Sequence, residues 1–88
     1  GIEVTWLSLD ANNSLVGRSI QDANLRALTG ASVVAIMRKG QLIANPKSLT
    51  TFEADDRVGF IGDGEQIEAT ERLIARSATD DEGVEWET

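Results

Sequence analysis

The chain has 88 residues, a formal net charge of −7, and no cysteine, histidine or tyrosine. That length holds one domain with a modest core, so oligomerisation or a larger parent protein is expected. Disulfide frames, thiolate sites and histidine-based general-base or zinc chemistry are excluded, and no base of the usual type stands by to activate a serine or threonine.

"IEVTWLSLD" opens with Ile2, Val4 and Trp6 alternating against Glu3 and Thr5, the pattern of a half-buried strand. The alternation slips at Trp6-Leu7, which predicts a bulge or edge bend there. "DANNSLVG" is a loop of residues that hydrogen-bond their own backbone. Ser19 then reads as an N-cap, with Asp22 as an imperfect capping box. Ile20, Ala23, Leu25 and Leu28 follow as a short helix or two helical turns, closed by Gly30. "SVVAIMR", Ser32 to Arg38, is apolar on both faces and reads as a strand buried on both sides. Lys39-Gly40 is a turn and "QLIA" the returning strand. In "KSLTTFEADD", Leu49 and Phe52 are expected to tuck inward. "RVGFIG" is a third core strand. Asp63 caps a last helix, with Gln66 completing a capping box and Ile67, Leu73 and Ile74 on the apolar side. Glu68 and Arg72 lie four apart on its wet side, a spacing that suits an ion pair. The pattern predicts an α+β fold: a small, mostly antiparallel sheet with a short helix after the first strand and a C-terminal helix. The domain is expected over 1–78, and 79–88 as an acidic, disordered tail with Trp86 its one anchor.

Charge is uneven along the chain. Residues 1–17 carry −2, 18–57 carry +2 and 58–88 carry −7. The overall sign argues against nucleic-acid binding. No apolar run approaches the roughly 20 residues of a membrane-spanning helix, and no signal peptide is visible. Gly1 in place of methionine reads as the start of an excised fragment or a tag remnant.

Gly62-Asp63-Gly64 lies where a phosphate-binding turn would, but the dinucleotide fingerprint needs glycine where Ile67 stands, and Asp63 and Glu65 would repel phosphate. A strand exit and helix cap is the better reading. Glu53, Asp55 and Asp56 lack the glycine-punctuated loop and the 6–8 oxygens that calcium takes, and read as a solvated turn. No metal site is expected. Arg18, Arg26, Arg38 and Arg57 all lie in the net-positive segment, and a guanidinium fork suits phosphate, although surface arginines and salt bridges explain each as readily.

"LVGRSIQDANLRALTGASVVAIMRKGQLIANPKSLTTFEADDRVGFIGDGEQI" resembles the C-terminal domain of regulators of potassium conductance, the RCK C-terminal or TrkA-C domain. The "L-x-G-x-[ST]-[IL]" opening is matched by Leu15 to Ile20. "L-R" and "G-x-x-[IV]-[IV]-A-I-x-R" are matched by Leu25-Arg26 and Gly30 to Arg38, "NP" by Asn45-Pro46, and "D-x-[LV]-x-x-x-G" by Asp56 to Gly62. "TGASVVAI" with "NP" is similar to the version ending Kef-like cation/proton antiporters. Two positions depart from the family pattern. Asp55 stands where a glycine is usual, and Ser32 where members that bind cyclic di-AMP commonly carry asparagine.

The resemblance implies a non-enzymatic regulatory domain on the cytoplasmic side of the cell membrane. It would form a homodimer and belong to a membrane transporter, a K+ or Na+/proton antiporter or a related K+ transport protein. Its implied ligand is cyclic di-AMP or another nucleotide, held in a two-fold cleft by Ile20, Arg26, Ser32 and Pro46. The alternative is a dimerisation and coupling module that binds no small molecule.

Overall fold

The computed structural model describes residues 3–75. The expectations for Ile2 and for the acidic segment 79–88 with Trp86 lie outside them. The elements are β1 (Thr5–Ser8), α1 (Ile20–Ala23), α2 (Leu25–Thr29), β2 (Ser32–Arg38), β3 (Gln41–Ala44), β4 (Arg57–Ile61) and α3 (Gly64–Ala75). The four strands form one sheet in the order β1-β4-β2-β3, and every pairing is antiparallel. This is the α+β architecture expected from the pattern. The hairpin of β2 and β3 turns on Lys39 and Gly40, at φ 51 and 78, the doubly left-handed turn whose twist suits a two-residue connection.

The helices pack on one sheet face, α3 against β1, α2 against β2, and α2 against α3. Between the layers lie Leu9, Leu25, Ile36, Phe52, Val58, Phe60 and Ile74. Phe52 and Phe60 are fully buried, and each such side chain contributes about 1.5–3 kcal/mol.

The bulge expected at Trp6-Leu7 is absent: β1 pairs with β4 without a break, from Thr5 opposite Phe60 to Ser8 opposite Arg57. The irregularity lies in β2, where Val33 opposes Phe60 and Ala35 opposes Gly59, leaving Val34 as the extra residue. The inserted residue puts Val33 and Ile36 on the core side together, and Ala35 and Met37 on the other. Val4 and Trp6 lie on that outer side and stay exposed, because Thr5, Leu7 and Leu9 turn inward instead. Gly59 lets Trp6 lie flat against the sheet, since a Cβ there would meet its ring at 3.2 Å.

In the connection from β3 to β4, Phe52 is buried as expected, but Leu49 is 76% exposed. The chain there is held by main-chain bonds to α1: the Ile20 N–H donates to the Thr50 carbonyl and the Gln21 N–H to the Ser48 carbonyl, each at 2.9 Å. Leu49 therefore rides on a backbone pinned from both sides and faces outward. The α3 capping box is complete, with the Gln66 N–H donating to Asp63 Oδ1 at 2.9 Å and the Asp63 N–H to Gln66 Oε1 at 2.8 Å. Gly62-Asp63-Gly64 is thus a strand exit and helix cap. Glu68 and Arg72 do not pair within 4 Å; the ion pairs among the described residues are those of Arg38.

Candidate functional site

The apolar spacing from Ile20 to Leu28 contains a step of two, Ala23 to Leu25, which no single helix face accommodates. The chain solves this by breaking at Asn24, whose φ of 51 lies in the left-handed region, so that α1 and α2 meet at an angle and both Ala23 and Leu25 are buried. Ser19 caps α1 by accepting from the Asp22 N–H at 3.0 Å, and Gly30 closes α2 at φ 84.

The break opens a groove of about 360 Å³ between these two short helices, the start of β2 and the loop after β3. Ile20, Gln21, Asn24, Leu25 and Arg26 form one wall, Ala31, Ser32 and Val33 the other, and Ser48 one end. Of the four residues singled out in the sequence, Ile20, Arg26 and Ser32 come together here. Pro46 does not line the groove; it follows Asn45, whose N–H bonds the Val34 carbonyl beside the bulge. Gln21, Asn24 and Ser48 line it without having been singled out. Asn24 was within reach of sequence reasoning through the broken helical spacing; Ser48 was not, because it arrives through a tertiary bond to α1.

The electrostatics follow from how the arginines of the basic segment are used. Arg38 is committed: its guanidinium grips Asp56 through Nε at 2.9 Å and Nη2 at 2.8 Å, reaches Glu53 at 2.9 Å and bonds the Thr51 carbonyl. Asp56 is fully buried and also accepts from the Glu53 N–H, so of the expected solvated acidic turn Glu53 and Asp55 are exposed while Asp56 forms a buried ion pair closed over the end of β2. Burial alone would raise the Asp56 carboxyl, but the bonds from Arg38 and Glu53 outweigh it and hold it below the ordinary carboxylate value. The hydrogen bond to Asp56 raises Arg38 in turn. Arg57 stacks over Trp6, 5.8 Å from the ring centroid. Arg18 donates to the Asp22 carbonyl at 2.8 Å. The Arg26 side chain is exposed and makes no hydrogen bond or ion pair among the described residues. No carboxylate lines its groove. A larger groove, about 620 Å³, lies at the start of α3, but Glu3 and Asp63 line it and disfavour an anion.

A neutral and cationic groove with apolar flanks can take an anion attached to a flat apolar group. At about 360 Å³ it is at the small end of the roughly 300–1,000 Å³ typical of ligand pockets.

Comparison with known proteins places this geometry. The chain is 27% identical over 75 residues to the probable potassium channel protein 2 of Methanocaldococcus jannaschii, covering 85% of this chain and 22% of that protein. The chain thus spans about a fifth of that relative's length. Its backbone follows the RCK C domain of the potassium transport protein KtrA, solved in complex with cyclic diadenosine monophosphate. The TM-score is 0.70 at 29% identity, over 82% of this chain and 85% of that one. It also follows the RCK_C domain dimer of S. agalactiae BusR, solved in complex with c-di-AMP, at TM-score 0.78 and 24% identity over 84% and 91% of the two chains; at that identity the likeness is one of fold. The family model of the TrkA-C domain matches residues 4–75, and the chain belongs to that family.

Proposed function

We propose that this chain is a regulatory domain of a monovalent cation transport protein, which forms a homodimer and binds an anionic nucleotide, cyclic di-AMP first, in the groove beside Arg26. The observation that carries the reading is an uncommitted arginine lining a carboxylate-free groove, in a segment where Arg18, Arg38 and Arg57 are all engaged. A single groove of this size suits half of a dinucleotide. Two copies facing each other across a two-fold axis would supply one arginine to each phosphate of a symmetric ligand. The KtrA domain solved in complex with cyclic diadenosine monophosphate supports the ligand class.

The parent protein is proposed to be a K+ or Na+/proton antiporter of the Kef-like kind, with this domain on the cytoplasmic side of the membrane. No helix among the described residues is long and apolar enough to cross a membrane. BusR is also solved in complex with its busAB-promotor DNA, in a chain of which the present one covers 35%. The net charge of −7 favours a domain that does not itself contact DNA. A second reading, a dimerisation and coupling module without a small ligand, draws on Ser32, whose hydroxyl reaches less far into the groove than the asparagine usual in ligand-binding members.

Calorimetry of the purified domain against a nucleotide panel tests the proposal. Saturable heat with cyclic di-AMP is expected. A hydrogen bond to a charged group is worth roughly 1.5–3 kcal/mol, so Arg26→Ala should weaken binding at least about tenfold while leaving the melting temperature unchanged. Arg72→Ala, which removes the same charge from α3 outside the groove, should bind like the wild type. Absence of heat with every nucleotide selects the ligand-free module. Unfolding of Arg26→Ala shows that arginine to be structural.

A further inference from the structure

The sheet face turned away from the helices is apolar where an antiparallel sheet with one solvated face ordinarily carries polar residues. Trp6, Gly59, Ala35 and Ala44 stand side by side across its four strands, and Arg57, Met37 and Leu42 form the next row. Val4 joins Trp6 over Gly59, where an added Cβ would lie 2.9 Å from Val4 Cγ1. Of the five exposed large apolar side chains among the described residues, Val4, Trp6 and Leu42 are on this one face. Its two rows hold a cation, Arg57, and no carboxylate. The groove of Arg26 lies on the helix side, so a two-fold pairing through that groove leaves this face open. A continuous exposed apolar surface of this kind marks a place of contact.

We propose that the chain's own segment 80–88 covers this face, with Val84 and Trp86 set against Val4, Trp6 and Leu42. Three observations name that occupant. The first is where the last helix ends. Ile74 and Ala75 share a depression with Leu7 and Ser8, and Asn13 Nδ2 bonds the Ile74 carbonyl, so α3 finishes beside β1. Since β1 is an edge strand, the chain has only to round that edge to reach the outer face. Residues 76–83, at about 3.3 Å each, reach roughly 26 Å. Four strands at a spacing of about 4.8 Å are only roughly 14 Å across. The second is the pattern of "VEWE", which puts Val84 and Trp86 on one side and Glu85 and Glu87 on the other. The third is charge. Asp80, Asp81, Glu82, Glu85 and Glu87 complement Arg57 and, at the turn beyond Leu42, Lys39. A tethered segment also meets the face at a far higher effective concentration than a second copy does.

The test uses the two tryptophans of the full chain. Trp6→Phe keeps a ring on the face and leaves Trp86 as the single emitter. Its emission should be blue-shifted, and acrylamide should quench it less than N-acetyltryptophanamide, at every dilution across dissociation of the proposed dimer. Leu42→Glu and Arg57→Glu alter exposed positions. Placed in that background, each should move the Trp86 emission to the red and restore quenching, with the circular dichroism of the fold retained. A second measurement leaves Trp6 intact: Trp86→Ser should shift the amide resonances of Trp6, Ala35 and Gly59 and leave those of the α1–α2 groove in place. The proposal is refuted by fully quenched Trp86, by shielding that survives both glutamate variants, or by unmoved resonances on the face. Shielding that vanishes on dilution means that a second copy is the cover, and overturns it too. Nucleotide binding is a separate matter, and none of these outcomes bears on it.

Discussion

Asp56 is the residue on which the connection from β3 to β4 closes. Both of its oxygens are engaged and its side chain is fully buried, while Arg38 keeps 21% of its side chain in contact with solvent. Removing one partner of a buried pair leaves an uncompensated charge, so Asp56→Asn and Arg38→Ala should each destabilise the domain by about 3 kcal/mol in denaturant titration. Because the folded-state carboxyl lies below its unfolded value of 3.8, its contribution is present above that pH and is lost as the pH falls through the folded value. Wild-type stability should therefore fall on acidification below about pH 4, and Asp56→Asn should flatten that limb; an unchanged acid limb in the variant would show the pair to be irrelevant to it. Asp55 next to it adopts φ 70, the conformation in which the family's usual glycine is at ease. Asp55→Gly should raise stability by up to about 1 kcal/mol, measurable as a shifted urea midpoint at constant slope.

At the scale of elements, α2 and α3 are joined at their ends. Gly30 closes α2 at φ 84, and a Cβ there would lie 2.6 Å from Gln66 Nε2 and 2.9 Å from its Cγ. That glutamine is the side chain completing the α3 capping box. Gly30→Ala should therefore cost more than left-handed strain alone, about 2 kcal/mol or more, because the glutamine is pushed off its cap as well. The double variant Gly30→Ala, Gln66→Ala should be less destabilised than the sum of the two singles, since the clash and the cap share one side chain. Strict additivity would mean that the two helix ends are independent.

At the scale of the whole molecule, the proposed homodimer sets the expected mass. Sedimentation at ~100 μM should give about twice the chain mass, since an interface of about −8 kcal/mol is saturated there. A monomer at that concentration would leave the groove half a site and remove the two-fold argument for the ligand. Saturating cyclic di-AMP should also raise the melting temperature; at a hundredfold excess over Kd, linkage contributes about 2.7 kcal/mol, and a tenfold weaker Arg26→Ala should lose about half of that at the same concentration.

What local chemistry alone decides was legible in the sequence. Ser19 and the Asp63–Gln66 pair cap helices through bonds spanning three residues, Lys39-Gly40 turns a hairpin, and the bounds of β2 follow from seven residues with an apolar pattern. The family motifs brought Ile20, Arg26 and Ser32 into view before their shared groove was described. The rest depends on partners distant in the chain. Asp56 reads as one more acid in a polar turn until Arg38, 18 residues earlier, is folded against it. The bulge moved from Trp6 to Val34 because β4 pairs with β1 on one side and β2 on the other, and only β2 must absorb an extra residue to keep Val33 and Ile36 in the core. Charge composition named four candidate arginines in the basic segment; three were removed by contacts with a carboxylate, a carbonyl and an indole ring that no spacing rule reveals. Arg26 is distinguished by what its neighbours leave undone, a property that exists only once the chain has folded.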